Sequence, residues 1–120
     1  MTLAQELQFL RSRGVLIIGS GYIVHNLQAS VANLSRGEEH CAYDWAQEFD
    51  AWSTEKIVDK NLIDLLTYTS APGGAQSVPT PDHYIPMLYS LALARKQEEV
   101  RFTYDQLVYG GISMRCFEIS

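Results

Sequence analysis

An α/β fold is predicted by three features of this 120-residue sequence. The run Val15-Leu16-Ile17-Ile18 is continuously apolar, mostly β-branched and bounded by glycines, as suits a strand buried on both faces of a parallel or mixed sheet. Segments on either side of it carry apolar residues at helical spacing. The C-terminal stretch has strand character around Gly110-Gly111. The expected architecture is a single domain over residues 1–120, with part of a mixed sheet flanked by helices.

The elements follow in order. Leu3, Leu7 and Leu10 recur at i, i+4 and i+7 behind a Thr2/Gln5 capping box, so an amphipathic helix opens the chain almost without a leader and ends near Gly14. After the Val15–Ile18 strand and the turn Gly19-Ser20-Gly21, a helix is expected to run to about Leu34, with Ile23, Leu27, Val31 and Leu34 on one stripe. Tyr43, Trp45, Phe49, Trp52 and Ile57 interleave with acidic residues as a further helix, and Leu62, Ile63, Leu65 and Leu66 make a short one. "TSAPGGAQSVPT", residues 69–80, is the one long loop, and loops of this length tend to be functional. Thr80-Pro81-Asp82 has the form of a cap, a first-turn proline and a first-turn acid, opening a helix to about Arg95. Val100–Tyr104 and Ile112–Ile119 close the chain as strands.

Composition narrows the function. With 47% apolar residues the chain is long enough to bury about two thirds of its unfolded surface. Fourteen acidic against nine basic residues leave a net charge of -5, which argues against nucleic acid or anionic lipid as a partner. Cys41 and Cys116 stand alone, without a CxxC pair or a secretory h-region, so the expected setting is reducing and cytoplasmic. The longest apolar runs are too short to span a bilayer.

Several residue sets invite chemistry. "GSGYIV" has the strand, turn and helix start of a dinucleotide-binding site, but Val24 stands where the third glycine would be and no acidic residue ends a second strand. Ser20 lies in "GSG" rather than in a GxSxG elbow. His40, Asp44 and Glu48 would share a helix face, as ligands of a small metal site or, more simply, as a solvated acidic surface. His25 is expected in the first turn of its helix, opposite the apolar stripe. There it is either an ordinary surface histidine or a ring kept neutral by the helix dipole, the form that a metal or a general base requires. His83 is expected in the first turn of the later helix, made irregular by Pro86. It either packs among Tyr84, Ile85, Met87 and Leu88 or is aimed into a cleft.

Taken together, "GSGYIVHNL", "YDWAQEFDAW", "PTPDHYIPMLY" and the terminal "GGISMRCFEIS" resemble the C-terminal half of the class III extradiol ring-cleavage dioxygenases, in the DOPA dioxygenase-like branch of the LigB superfamily. The resemblance covers essentially the whole chain. It implies an α/β fold with a non-haem metal, Fe(II) in active enzymes and often zinc as isolated. It implies that His25, in "VHNL", lies at the metal and acts as acid and base, and that His83, in "TPDHY", completes the metal site. A catecholate bound through both oxygens leaves room for dioxygen on a metal held by a facial ligand set, and a nearby histidine moves the protons.

Two departures from the family pattern stand out. Tyr22 occupies a position where a smaller polar residue is expected, which would narrow the pocket mouth. The family's N-terminal half, with its glycine-rich "HGSP"-type motif and a further histidine, has no counterpart here, so two usual ligands are missing. The resemblance therefore implies extradiol cleavage of a catechol that requires a complementary N-terminal chain or a homo-oligomer. The alternative is an inactive α/β remnant that self-associates and binds zinc weakly or not at all. An unrelated small-molecule-binding domain would explain none of the motifs. In either of the first two cases an unpaired sheet edge and an apolar face should be exposed.

Overall fold

The computed structural model describes residues Thr2–Ser120, the side chain of Thr2 excepted; the capping box expected between Thr2 and Gln5 lies outside the described residues. Seven helices and four short strands are present among them: α1 Thr2–Glu6, α2 Gln8–Arg11, α3 Leu27–Arg36, α4 Asp44–Val58, α5 Leu62–Leu66, α6 Gly74–Ser77, α7 Ile85–Ala92, β1 Val100–Tyr104, β2 Leu107–Val108, β3 Ile112–Ser113 and β4 Cys116–Ile119. Single turns of 3₁₀ helix, Tyr68–Ser70 and Pro81–His83, precede α6 and α7. The α/β class holds. The strands form two antiparallel pairs, β1 with β4 and β2 with β3, and an isolated parallel bridge joins Ala42 to Gly110.

The core lies between α4, α5 and α7. From α4 it takes Ala46, Phe49 and Ile57, from α5 Leu65, and from the last helix Met87, Leu88 and Leu91. Tyr84, fully buried at the entry to α7, anchors it: its ring meets Tyr68 at 4.8 Å and Phe49 at 6.1 Å, and its hydroxyl donates to the Leu65 carbonyl at 2.9 Å. Burial pushes that phenol's pKa well up, so it remains a donor at every physiological pH.

Two charged clamps tie the periphery to this core. Arg11 grips Glu98 through two nitrogens at 2.7 and 2.6 Å, and the Arg95 amide donates to the same carboxylate. Asp50 on α4 takes a two-pronged grip from Arg115 at 3.0 and 2.7 Å and a hydroxyl from Ser113, fixing the C-terminal strands to the helix.

Four expectations are corrected. The opening helix is broken after Glu6 and ends at Arg11. Val15–Ile18 is extended but belongs to no strand pair, and instead of being buried on both faces it leaves Leu16 82% and Ile18 78% exposed. The helix expected from Gly21 begins only at Leu27, because the backbone before it is engaged elsewhere: Tyr22 N–H donates to the His83 carbonyl, His25 N–H to Ser77 and Asn26 N–H to Gly111. Amides committed to distant carbonyls do not enter an i to i−4 ladder. The third correction carries a further consequence, since the face α3 buries is Ser30 and Asn33 while Leu27 and Val31 stand 51% exposed. Finally, the expected helix from Thr80 is a 3₁₀ turn followed by α7. Pro86 cannot donate to the Asp82 carbonyl, and the Thr80 side chain, rather than capping, binds the Asp82 carboxylate.

Candidate functional site

His25 sits in the connection leading into α3, not in the helix itself. It bridges to Ile112 in antiparallel fashion, its N–H donates to the Ser77 carbonyl at 2.8 Å, and the preceding Val24 carbonyl accepts from Ser113 N–H at 2.9 Å. Asn26, the next residue, caps α3 by accepting from Ala29 N–H at 2.9 Å and reaches back with its amide to the Gln76 carbonyl at 2.8 Å. The backbone of His25 is therefore held from three sides: by the segment before Val78, by β3 and by the helix start. The long loop expected at 69–80 instead holds part of a 3₁₀ turn and the short helix α6, whose Gln76 and Ser77 supply two of those contacts.

His83 ends the 3₁₀ turn that Pro81 opens. Its carbonyl accepts the Tyr22 amide at 2.7 Å, stitching the two histidine segments together. Gly21 lies so close to the His83 backbone that a Cβ at this position would collide with the carbonyl, so the "GSG" turn exists for close approach rather than for a phosphate. The result is that the imidazoles of His25 and His83, distant in sequence, stack with ring centroids 3.9 Å apart and planes 30° from parallel.

Tyr22 completes the cluster. Its ring stacks on His25 at 5.1 Å and lies 5.9 Å from His83. Asp82, next to His83, approaches its Nε2 at 3.4 Å, while Thr80 donates a 2.5 Å hydrogen bond to the same carboxyl group and pulls its pKa below the ordinary carboxylate range. Asp82 is a site residue that the motif pattern did not single out; its adjacency to His83 in "PDHY" was the available signal.

Partial burial, and after it the neighbouring His83 charge, lower the pKa of His25 below its usual value. A half-buried imidazole kept neutral at physiological pH has a lone pair available for a metal or a proton. Among the described residues no group of three or more His, Cys, Asp or Glu side chains is placed to hold a metal ion. His40, Asp44 and Glu48 are all exposed.

Fold and site together define a class: an α/β fold whose distinguishing feature is a pair of apposed histidines beside a tyrosine. Comparison with known proteins gives that class its relatives. No family model matches the chain. It is 28% identical over 120 residues to the 4,5-DOPA dioxygenase extradiol of Escherichia coli K12, covering 98% of this chain and 43% of that protein. The enzyme of the same name from Beta vulgaris is 28% identical over 122 residues, covering 98% and 42%. The crystal structure of an uncharacterised Escherichia coli K12 protein superposes with a TM-score of 0.72 at 28% identity, covering 95% of this chain and 46% of that one. Over nearly all of its length the chain is thus similar in sequence to proteins named extradiol DOPA dioxygenases, and in fold to the uncharacterised protein. The chain spans less than half the length of the relatives it matches.

Proposed function

We propose that this chain provides the His25/His83 portion of an extradiol dioxygenase centre that cleaves a catecholic substrate with dioxygen at a non-haem metal. The observation that carries the proposal is the apposition of two imidazoles from distant segments, in a chain similar to enzymes named for DOPA cleavage. The donor set fits part of such a site. His25 and His83 are adjacent and His25 is held neutral, but two nitrogens fall short of the three or four protein ligands such metals take, so the others must come from a complementary polypeptide. His25 and His83 would hold the metal, Fe(II) in an active form and zinc as isolated. When bound, the metal supplies a site where catecholate and dioxygen meet.

The residues of this chain do the rest. His25, neutral and half-buried, would serve at that metal either as a ligand or, with its lone pair left free beside the ion, as the base that accepts the proton of a catechol hydroxyl and returns it as the ring opens beside, rather than between, the two hydroxyls. Tyr22 covers one side of that imidazole and limits how an aromatic substrate approaches it. Asp82 lies against His83 Nε2 and, through its negative charge, steadies that ring. The two unpaired thiols, Cys41 and Cys116, suit a reducing cytoplasmic setting, and no described helix is long and apolar enough to cross a membrane.

The test is oxygen uptake with L-DOPA after Fe(II) reconstitution. The chain alone should be inactive. Joined to a polypeptide that supplies the missing ligands, it should turn over, and His25→Ala and His83→Ala should each abolish turnover. Full activity in either variant would contradict the proposal. The second reading, an inactive remnant that self-associates, is favoured by the exposed Leu27, Val31 and Leu34 of α3, and would show as a stable dimer with no uptake in any combination.

A further inference from the structure

A groove of about 720 Å³ lies apart from the histidines. Its two long walls are the extended segment Val15–Gly21 and the strand β4, and its floor is formed by Met87, Ser90 and Leu93 of the α7 region. Both walls have unused backbone. From Leu16 to Gly21 no amide donates to, and no carbonyl accepts from, another described backbone group. β4 is paired on one side only, with β1, in register Val100↔Ile119 and Arg101↔Glu118. The segment is nonetheless not loose. Gly19 packs so tightly on α7 that a Cβ there would fall 2.6 Å from the Pro86 carbonyl oxygen, and Tyr22 is hydrogen-bonded to His83.

An extended segment anchored at one end, with a free strand edge facing it across an apolar trough, is the outline of a sheet lacking an interior strand. We infer that this groove is a strand slot, filled by an extended apolar segment of the complementary polypeptide that also completes the histidine site. The slot stands on the geometry above; its occupant rests on the function proposed for His25 and His83.

Three observations select that occupant. The charged residues of the lining are already paired, Arg11 with Glu98, Arg115 with Asp50 and Glu118 with Arg101, so the groove calls for an apolar strand. Among its described residues a second copy of this chain has no spare strand to insert: β1 and β4, and β2 and β3, are paired with each other, and Val15–Ile18 is itself a wall of the slot. The relatives, by contrast, carry more than half their length beyond the part matched here. The slot is also continuous with the site, because Gly21 and Tyr22 line its end and the Tyr22 ring rests on His25. A strand entering it arrives beside the histidines.

The test is co-expression of this chain with the portion of the Escherichia coli 4,5-DOPA dioxygenase that it does not match, followed by co-purification, native mass and amide hydrogen exchange. The expected result is a one-to-one complex in which the amides of residues 16–19 and 116–119 exchange more slowly than in the free chain. Leu16→Pro and Ile17→Pro remove adjacent amides that point to opposite sides of an extended backbone. One of the two should weaken the complex about ten-fold, the loss of one ladder hydrogen bond, with circular dichroism confirming that the fold persists. Absence of a complex, a complex that leaves those amides exchanging freely, or two proline variants that bind like the parent would each overturn the inference. So would a dimer of this chain alone that protects the same amides. A complex with protected amides but no metal uptake and no oxygen consumption supports the slot and removes the dioxygenase function. Turnover with unprotected amides retains the function and removes the slot.

Discussion

At His25 the local environment and the proposed chemistry coincide. Partial burial and the His83 charge hold its pKa below 6.5, so the unfolded chain takes up a proton at this residue before the folded chain does. Stability linked to His25 is therefore present above about pH 6.5 and lost as pH falls through the lower folded value. The melting temperature of the chain should drop between about pH 7 and 5 by more than that of His25→Gln, as followed by circular dichroism. Tyr22→Ala should move the His25 titration, measured by NMR, back toward 6.5, because the ring that stacks on the imidazole provides part of its burial. Tyr84→Phe should cost about 1–2 kcal/mol in denaturant unfolding, since the Leu65 carbonyl loses its only hydroxyl partner inside the core. The Glu98 carboxyl, held down to about 2 chiefly by Arg11, contributes stability present above about 4.5 and lost as pH falls toward 2; Glu98→Gln should flatten that acid limb.

At the level of elements, what was legible in the sequence was what periodicity alone decides. α4 forms where Trp45, Phe49, Trp52 and Ile57 mark it, with Tyr43 as its N-cap, and α5 and β1 form where Leu62–Leu66 and Val100–Tyr104 were expected. Hidden from periodicity were elements whose backbone answers to distant carbonyls. The stretch Tyr22–Asn26 reads as helix because Ile23 and Leu27 are a turn apart, yet its amides go to His83, Ser77 and Gly111. Asn26 then becomes the cap of α3. Asn26→Ala should cost about 1 kcal/mol and loosen His25, seen as faster exchange of its amide. The outward turn of Leu27 and Val31 has the same origin. Asn33 faces inward to donate to the Tyr43 hydroxyl and the Tyr109 carbonyl, at 2.9 and 3.0 Å, and the opposite stripe is left facing out.

For the molecule as a whole, the two histidine motifs told more than any apolar pattern did. They were identifiable as a pair from "VHNL" and "TPDHY", and the fold places their rings in contact. The mixed sheet was not recoverable in the same way. A run such as Val15–Ile18 announces burial on both faces, but no described strand pairs with it, and it stays extended and open beside β4. The two imidazoles likewise converge without a third His, Cys, Asp or Glu ligand among the described residues. Both the gap in the sheet and the gap in the ligand set are filled by one complementary polypeptide in the account given above.

The most direct test of the central claim, that folding makes His25 and His83 one half of a single metal site, is a zinc titration of the free chain followed by imidazole nitrogen NMR. Signals of both rings should shift together with a common weak affinity, and in His83→Ala the shift at His25 should disappear. If His25 responds to zinc unchanged without His83, or if the two rings titrate independently, they are neighbours in the fold but not partners at a metal.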